Sequence, residues 1–163
     1  MDRFVVDADA FIDFDRHYRG QLKTLKRLAG AGSLTIPGGV ARELLRKSDT
    51  LSKRVKQWQD DCTDFVVKVD QDPRMRSEFA RIEREYGDRI VVGGQTYTGF
   101  WSSHAGKKAA DGQVVSVAKV LGSTAVSDDL AVKLACMLEN VPCIGWAEFA
   151  RQVGIPVKQQ RLL

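Results

Sequence analysis

Short apolar runs alternate with amphipathic segments along most of the chain. The runs have the length and composition of buried strands and cover residues 4–6, 33–37, 65–69, 124–127 and 141–144. Between them, apolar side chains recur at helical spacing in residues 8–19, 21–32, 38–47, 49–61, 72–86, 111–121, 129–138 and 146–153. This alternation is typical of a parallel sheet covered by helices on both faces. We therefore predict one α/β domain over residues 1–163, built as a three-layer α/β/α sandwich around a mainly parallel sheet.

One stretch interrupts the alternation. Residues 93–108, with the sequence GGQTYTGFWSSHAGKK, are rich in glycine, serine and aromatic residues. We predict a loop for this stretch.

Acidic residues lie where predicted strands end and on the inward side of predicted helices. Asp7 follows the first strand, and Asp128 and Asp129 end the segment STAVSDD. Because ligands collect at the carboxyl ends of the strands in an open α/β sheet, Asp7 is expected to face a cleft there. Adjacent side chains point to different sides, so only one of Asp128 and Asp129 is expected to face the same cleft. Glu43 borders the apolar stripe of its helix, and Asp111 lies on the stripe of the helix that it opens.

Two of these residues also have a local structural interpretation. Asp7 could cap the first helix or shape the turn before it, but Asp9 is the predicted N-cap, which leaves Asp7 for the cleft. Glu43 has the spacing of an i,i+4 pair with Lys47, which stabilises a helix by roughly 0.2–0.5 kcal/mol. The sequence leaves both interpretations open.

The other acidic positions have the same ambiguity. Asp111 is as well suited to cap its helix as to bind a ligand, and Gly112 beside it permits close approach of a backbone or ligand. One of Asp128 and Asp129 is expected to cap the helix that follows. Ser127, which precedes this pair, is expected to orient a carboxylate or a water molecule.

The predicted chemistry follows from charge. Carboxylates repel one another by roughly 1 kcal/mol per pair at 4 Å in water, and by several times that in a semi-buried cleft. Such a cluster is stable only if protons are shared or a divalent cation is held. We interpret it as a Mg²⁺ or Mn²⁺ site, and hence as a candidate site of phosphodiester cleavage.

Basic residues outnumber acidic ones in spite of this cluster. The net charge is +4 and the pI is about 9.0. One concentration of cations comprises Arg42, Arg46, Lys47, Lys53, Arg54 and Lys56. A cationic rim around an anionic pocket suits a polyanionic substrate, although a solvated helix face is the commoner origin of a single charge run.

Other features limit the class of protein. The three cysteines lack metal-ligand spacing, which favours reduced thiols, and neither His17 nor His104 has zinc-ligand or nucleophile spacing. No apolar run is long enough to span a membrane, and the first strand leaves no room for a signal peptide. We therefore expect a cytoplasmic protein that does not associate with membranes.

The ordered set of segments resembles the PIN domain, the nuclease fold that includes VapC-type toxins. The matching segments are FVVDADAFID, IPGGVARELL, AADGQVVSVAKVLGSTAVSDD and VPCIGWAEFA, and they extend from about residue 4 to residue 153 with the middle covered loosely. The resemblance implies that the catalytic, metal-binding residues are Asp7, Glu43, Asp111 and Asp129. Ser127 stands at the Thr/Ser position of the family. Asp9 departs from the Asn, Ser or Thr of many relatives, and Asp128 adds a second candidate ligand beside Asp129.

The same resemblance implies an activity and partners. The expected activity is that of a Mg²⁺- or Mn²⁺-dependent endoribonuclease acting as the toxin of a toxin–antitoxin pair, with RNA as substrate and an antitoxin protein or a second copy of the chain as partners. The residues expected at RNA phosphates are Arg42, Arg46, Lys107 and Lys108. Tyr97, Phe100 and Trp101 are candidates for stacking on bases, although aromatic residues in a loop more often anchor it to the core.

Two other functions remain open. The DAD segment after an apolar strand is similar to the Asp-x-Asp pair of haloacid-dehalogenase-like magnesium phosphatases. That assignment gives no role to Glu43 or Asp111, and Phe11 stands where that family has Thr or Val. A non-catalytic PIN-like module that binds RNA or protein is the second alternative.

Overall fold

Five short parallel strands form the central sheet of the computed structural model, which describes residues 2–102 and 110–155. The described residues contain seven strands in all, which are in chain order β1 (Phe4–Val6), β2 (Leu34–Pro37), β3 (Val66–Val67), β4 (Arg89–Val92), β5 (Gln95–Thr98), β6 (Thr124–Val126) and β7 (Cys143–Ile144). The sheet has the order β3-β2-β1-β6-β7, and β4 and β5 pair separately as an antiparallel hairpin. The first strand therefore lies at the centre of the sheet.

Eight α-helices connect and cover the strands in the described part of the chain. They are α1 (Ala8–His17), α2 (Leu22–Gly30), α3 (Gly38–Leu45), α4 (Thr50–Asp61), α5 (Pro73–Tyr86), α6 (Asp111–Leu121), α7 (Leu130–Leu138) and α8 (Trp146–Gln152). Local signals set several of their ends. The Asp49 side chain caps α4, Asp72 caps α5 with Pro73 in its first turn, and Gly122 ends α6 in the left-handed conformation at φ 63°.

The strand register fixes the edge at which functional residues collect. Val6 of β1 is paired with Val126 of β6, so the residues that follow them, Asp7 and Ser127, emerge side by side. The ladder extends one step further, because the Asp7 N–H donates to the Val126 carbonyl at 3.0 Å and the Ser127 N–H donates to the Ile144 carbonyl at 2.9 Å. The carboxyl edge of the sheet thus presents both residues in one place.

The core explains why β1 and α6 have so few polar residues. All three residues of β1 are buried, and Val114, Val115 and Val117 of α6 are fully buried. Helix α6 contacts β1, β2 and β6 as well as α5 and α7. A helix with this many buried neighbours holds its first turn, at Asp111, in a fixed position.

The predicted sandwich with a central parallel sheet is confirmed. The prediction of a loop over residues 93–108 is wrong in part, and residues 103–108 lie outside the described residues. Gln95–Thr98 is a strand, and Phe100–Ser102 forms one turn of 3₁₀ helix. Gly93 and Gly94, at φ 59° and 75°, make the two-residue turn of the hairpin. In the described residues, no helix combines the length and apolar composition that a membrane crossing needs.

Candidate acidic site

Asp7 is held at the centre of the carboxyl edge by two hydrogen bonds. Its Oδ1 accepts from the Ala10 N–H at 2.7 Å, which makes it the N-cap of α1. The Ser127 hydroxyl also hydrogen bonds to the Asp7 carboxylate. The prediction that Asp9 caps this helix is therefore wrong, because the capping geometry needs a residue one position before the first helical turn. Asp7 caps the helix and still faces the cleft, with 5% of its surface exposed.

Ser127 joins two acidic residues. Besides its bond to Asp7, its Oγ accepts from the Asp129 N–H at 3.1 Å, and the residue is fully buried. Asp129 caps α7 through a bond from the Val132 N–H to its Oδ1 at 3.1 Å. The serine thus links the carboxylate of Asp7 to the backbone at Asp129.

Asp128 points elsewhere. Its Oδ2 accepts from the Trp146 N–H at 3.1 Å, and its Oδ1 lies 3.9 Å from the Lys133 Nζ. The contact is tight on the side of Gly145, where an added Cβ would lie 2.2 Å from Asp128 Oδ1. The structure therefore places Asp129, and not Asp128, with Asp7.

Glu43 reaches the site from α3 because that helix packs closely against the start of α6. A Cβ at Gly39 would lie 2.8 Å from both the Ala110 Cβ and the Gln113 Oε1, so only glycine fits there. The Gly39 N–H donates to Gln113 Oε1 at 2.8 Å, and the Ala110 N–H donates to Glu43 Oε1 at 3.1 Å.

These contacts replace the predicted pairing of Glu43 with Lys47. The neighbouring charges that shift the pKa of Glu43 are those of Asp9, which raises it, and Arg46, which lowers it. Burial is the largest cause, and the pKa is raised overall. Glu43 is therefore an interhelical residue of the site and not one half of a surface pair.

Asp111 lies in the first turn of α6, whose N-cap position is held by Ala110. The capping interpretation of Asp111 is therefore wrong. The pKa of Asp111 is raised to about 8, first by burial and then by the negative charges of four acidic residues: Asp129, Asp7, Glu43 and Asp9. Residues from three other segments of the sequence, β1–α1, α3 and β6–α7, thus converge within electrostatic reach of Asp111.

Asp7 shows the same effect from the other side of the cluster. Its pKa is raised to about 7, first by burial and also by the charges of Asp9 and Asp129, against the lowering effect of its bonds to Ser127 and Ala10. Two carboxyl groups that resist ionisation at neutral pH are the expected consequence of packing like charges in a half-buried cleft. Asp7, Asp9, Glu43, Asp111 and Asp129 are called the acidic cluster below.

The cluster has the donor chemistry of a Mg²⁺ or Mn²⁺ site, since all its side-chain donors are carboxylate oxygens. Among residues 2–102 and 110–155, however, no three His, Cys, Asp or Glu side chains already have the spacing of a metal site. The carboxylates lie close enough to raise one another's pKa and not close enough to share one cation as they stand. Coordination therefore requires side-chain rotation towards the centre of the cluster.

The residues predicted to contact nucleic acid do not all lie in comparable places. Arg46 lies near Glu43, and Arg42 lines an open pocket beside α3. Lys107 and Lys108 lie outside the described residues. The prediction that Phe100 stacks on bases is wrong, because this side chain is 1% exposed and packs edge-on against Tyr86.

The other two aromatic residues stay on the surface of the hairpin region. Trp101 is 40% exposed and its indole N–H donates to Glu83 Oε2, while the Tyr97 hydroxyl donates to Gln95 Oε1 at 3.0 Å. Sequence reasoning missed Gly39 and Gln113, which bring α3 and α6 together. Gly39 stands in the Gly-Gly pair before the Glu43 helix and Gln113 stands two residues after Asp111, but nothing local links the two.

Comparison with known proteins supports the fold. The family model described as Domain of unknown function (DUF4411) matches residues 4–156. The crystal structure of PAE2754 from Pyrobaculum aerophilum is similar at 16% identity and a TM-score of 0.51, with 93% of this chain and 89% of that chain covered. The crystal structure of VapBC2 from Rickettsia felis, bound to a DNA fragment from their promoter, is similar at 13% identity and a TM-score of 0.50, with 88% and 98% covered. At these identities the likeness shows the fold alone, the PIN-like sandwich, and no curated protein matches the sequence.

Proposed function

We propose that this chain, which belongs to the family described as Domain of unknown function (DUF4411), is a metal-dependent endoribonuclease. One observation carries the proposal. The pKa of Asp111 is raised by burial and by four other carboxylates, which come from β1–α1, α3 and β6–α7. Acidic residues with strongly shifted pKa values in a cleft at the carboxyl edge of a parallel sheet are typical of a functional site.

Four residues would hold the cation: Asp7, Glu43, Asp111 and Asp129. The cation, Mg²⁺ or Mn²⁺, would supply Lewis-acid activation of water and of the scissile phosphate. Its positive charge would offset the mutual repulsion of these carboxylates, which adds to burial in raising the pKa of Asp7 and Asp111. Asp9, which is exposed at the rim, adds negative charge that favours the cation.

The chain's own hydrogen bonds prepare the ligands. The Ala110 N–H holds Glu43 in place through Oε1. Ser127 donates to the Asp7 carboxylate and accepts from the backbone N–H of Asp129, so it orients the carboxylate of Asp7 beside the start of α7. Arg42 and Arg46, on the helix that carries Glu43, are assigned to phosphates that flank the cleaved bond.

A toxin role is the finer part of the proposal. It is supported by the shared fold with VapBC2 and by the PIN resemblance, and it implies an antitoxin protein that occupies the cleft. Copurification of a small acidic partner encoded beside this chain is the expected result. A chain that is isolated alone and does not arrest growth when expressed would contradict this role but not the nuclease activity.

The test of the activity is cleavage of total RNA in the presence of Mn²⁺. Asp111→Asn is expected to lower the rate by at least about 100-fold, because it removes a ligand from the cluster. Asp128→Asn is the matched control: it makes the same change at the neighbouring strand end, outside the cluster, and its amide oxygen still accepts from Trp146. Equal rates for native protein and Asp111→Asn would refute the proposal. Release of phosphate from p-nitrophenyl phosphate would favour the phosphatase alternative instead.

A further inference from the structure

A second feature lies beside the acidic cluster at the same edge of the sheet. It is an open pocket of about 590 Å³, formed between the start of α3, the end of β3 and α5. Gln113, on the helix that carries Asp111, closes one side, and Gly39, on the helix that carries Glu43, lies beside it. The pocket and the acidic cluster therefore share two walls.

The charge of this pocket is opposite to that of the cluster. Three cations line it, Arg42, Lys68 and Arg76, together with one carboxylate, Asp70. In the described part of the chain, none of these three cations forms a salt bridge. Arg76 donates only to the backbone carbonyl of Asp70, at 3.4 Å. The positive charge is therefore available to a ligand.

The pocket on the other side of α3 provides a comparison. It is lined by three cations, Arg16, Arg19 and Lys47, and by three carboxylates, Asp15, Glu43 and Asp49. Its charges balance, and its volume of about 220 Å³ is smaller. Of the two, only the pocket at Lys68 and Arg76 has the net positive charge that a phosphate chain requires.

The remaining lining groups suit a nucleobase. The half-buried Phe79 supplies an aromatic surface, and Gln59 and Gln71 supply amide donors and acceptors. Gln113, whose Oε1 accepts from the Gly39 N–H, supplies its amide NH₂ as a donor. Aromatic side chains stack on any base, and amides hydrogen bond to base edges that are unpaired. A pocket of this volume is within the usual range for small ligands and accommodates one nucleotide.

We infer that this pocket binds the nucleotide next to the scissile phosphate of single-stranded RNA, with phosphate on Lys68, Arg76 and Arg42 and the base against Phe79. The inference rests on the proposed function for its substrate. It adds a binding site that is separate from the acidic cluster, and the bound RNA strand would extend from the cluster towards β3.

The test uses the full chain in EDTA, so that binding is measured without cleavage. A fluorescein-labelled single-stranded RNA of 12 nucleotides is titrated by anisotropy at several salt concentrations. The variant is Lys68→Gln with Arg76→Gln, and Arg42 is left intact because it adjoins Glu43. The control is Lys26→Gln with Arg27→Gln, which removes the same charge from the exposed face of α2, away from the pocket.

The pocket variant is expected to raise the Kd about 10-fold or more and to lower the slope of log K against log salt by about 1.4, since each phosphate contact on a single strand contributes about 0.7. The control is expected to change the Kd less than about 2-fold. Equal effects of the two double variants would overturn the inference.

A cleavage assay distinguishes a failure of this inference from a failure of the proposed function. If native protein cleaves RNA with Mn²⁺ and the pocket variant has an unchanged KM, the pocket is not a subsite although the nuclease assignment stands. If native protein does not cleave RNA at all, the proposed function fails. A Phe79→Leu variant, which keeps an apolar side chain, is expected to raise the Kd without changing the salt slope.

Discussion

The substitution Asp7→Asn is expected to stabilise the metal-free protein at high pH. The asparagine keeps the N-cap, because its side-chain oxygen still accepts from the Ala10 N–H, and it removes a buried negative charge. The pKa of Asp7 is about 7 in the folded protein against 3.8 for the unperturbed group. Folding therefore favours the protonated form of this residue.

The direction of the pH dependence follows from this difference. A carboxyl group with a raised folded pKa stabilises most when protonated, and this contribution is lost as the pH rises from about 4 to about 7. Each pKa unit corresponds to about 1.4 kcal/mol, so the loss approaches about 4 kcal/mol above pH 7, before any relaxation of the site. Asp7→Asn does not undergo this loss.

Urea unfolding in EDTA at pH 4 and pH 9 measures the effect. The free energies of unfolding of Asp7→Asn and native protein should be similar at pH 4, and the variant should be more stable by up to about 4 kcal/mol at pH 9. The exposed Asp128→Asn, outside the cluster, should stay within about 0.5 kcal/mol of native at both values. A variant that is less stable than native at pH 9, or a difference that does not change with pH, would refute the electrostatic reasoning.

Three further predictions concern the metal, the helix contact and the serine. Mn²⁺ should raise the melting temperature of native protein more at pH 8 than at pH 6, because it competes with protons at Asp7 and Asp111, and a scanning fluorimetry series that shows no difference would count against a shared cation. Gly39→Ala should lower the free energy of unfolding by about 1–3 kcal/mol and should reduce RNA cleavage, because the added Cβ would clash with Ala110 and Gln113. Gly30→Ala, where an added Cβ would have open space around it, should change neither quantity in the same unfolding and cleavage assays. Ser127→Ala should weaken Mn²⁺ binding by about 10–100-fold and should shift the pH profile of cleavage to higher pH, because the bond that lowers the pKa of Asp7 is lost. An unchanged pH profile would contradict a role of Ser127 in the site.

The layered fold could be predicted from the sequence because its signals are local and repeated. Apolar runs and helical periodicity place β1, β2, β6 and most helices close to their observed bounds. The hairpin was missed although Gly93-Gly94 is a strong signal for a two-residue turn. Ile90, Val91 and Val92 form an apolar run in β4, but β5, with the sequence QTYT, has none and is followed by glycine and serine residues, so no second strand was predicted to pair with the first.

The acidic site could be predicted in part for the same reason. Asp7 and Asp129 follow strands, so their position at one edge depends only on a parallel sheet. The choice between Asp7 and Asp9 as N-cap, and between Asp128 and Asp129 as the inward residue, depends on one-residue shifts that pattern does not resolve. The hydrogen bond from Ala110 to Glu43 joins residues 67 positions apart, and it depends on the absence of a side chain at Gly39, so no local sequence signal predicts it.

Crystals soaked with Mn²⁺ at pH 8 provide the most direct measurement of the central claim, that these carboxylates jointly hold a divalent cation. Anomalous scattering should show one peak in the acidic cluster, within about 2.0–2.3 Å of oxygens from Asp7, Asp111 and at least one of Glu43 and Asp129. Maps with well-ordered side chains and no peak at the cluster, or with Mn²⁺ bound only elsewhere on the protein, would contradict the account.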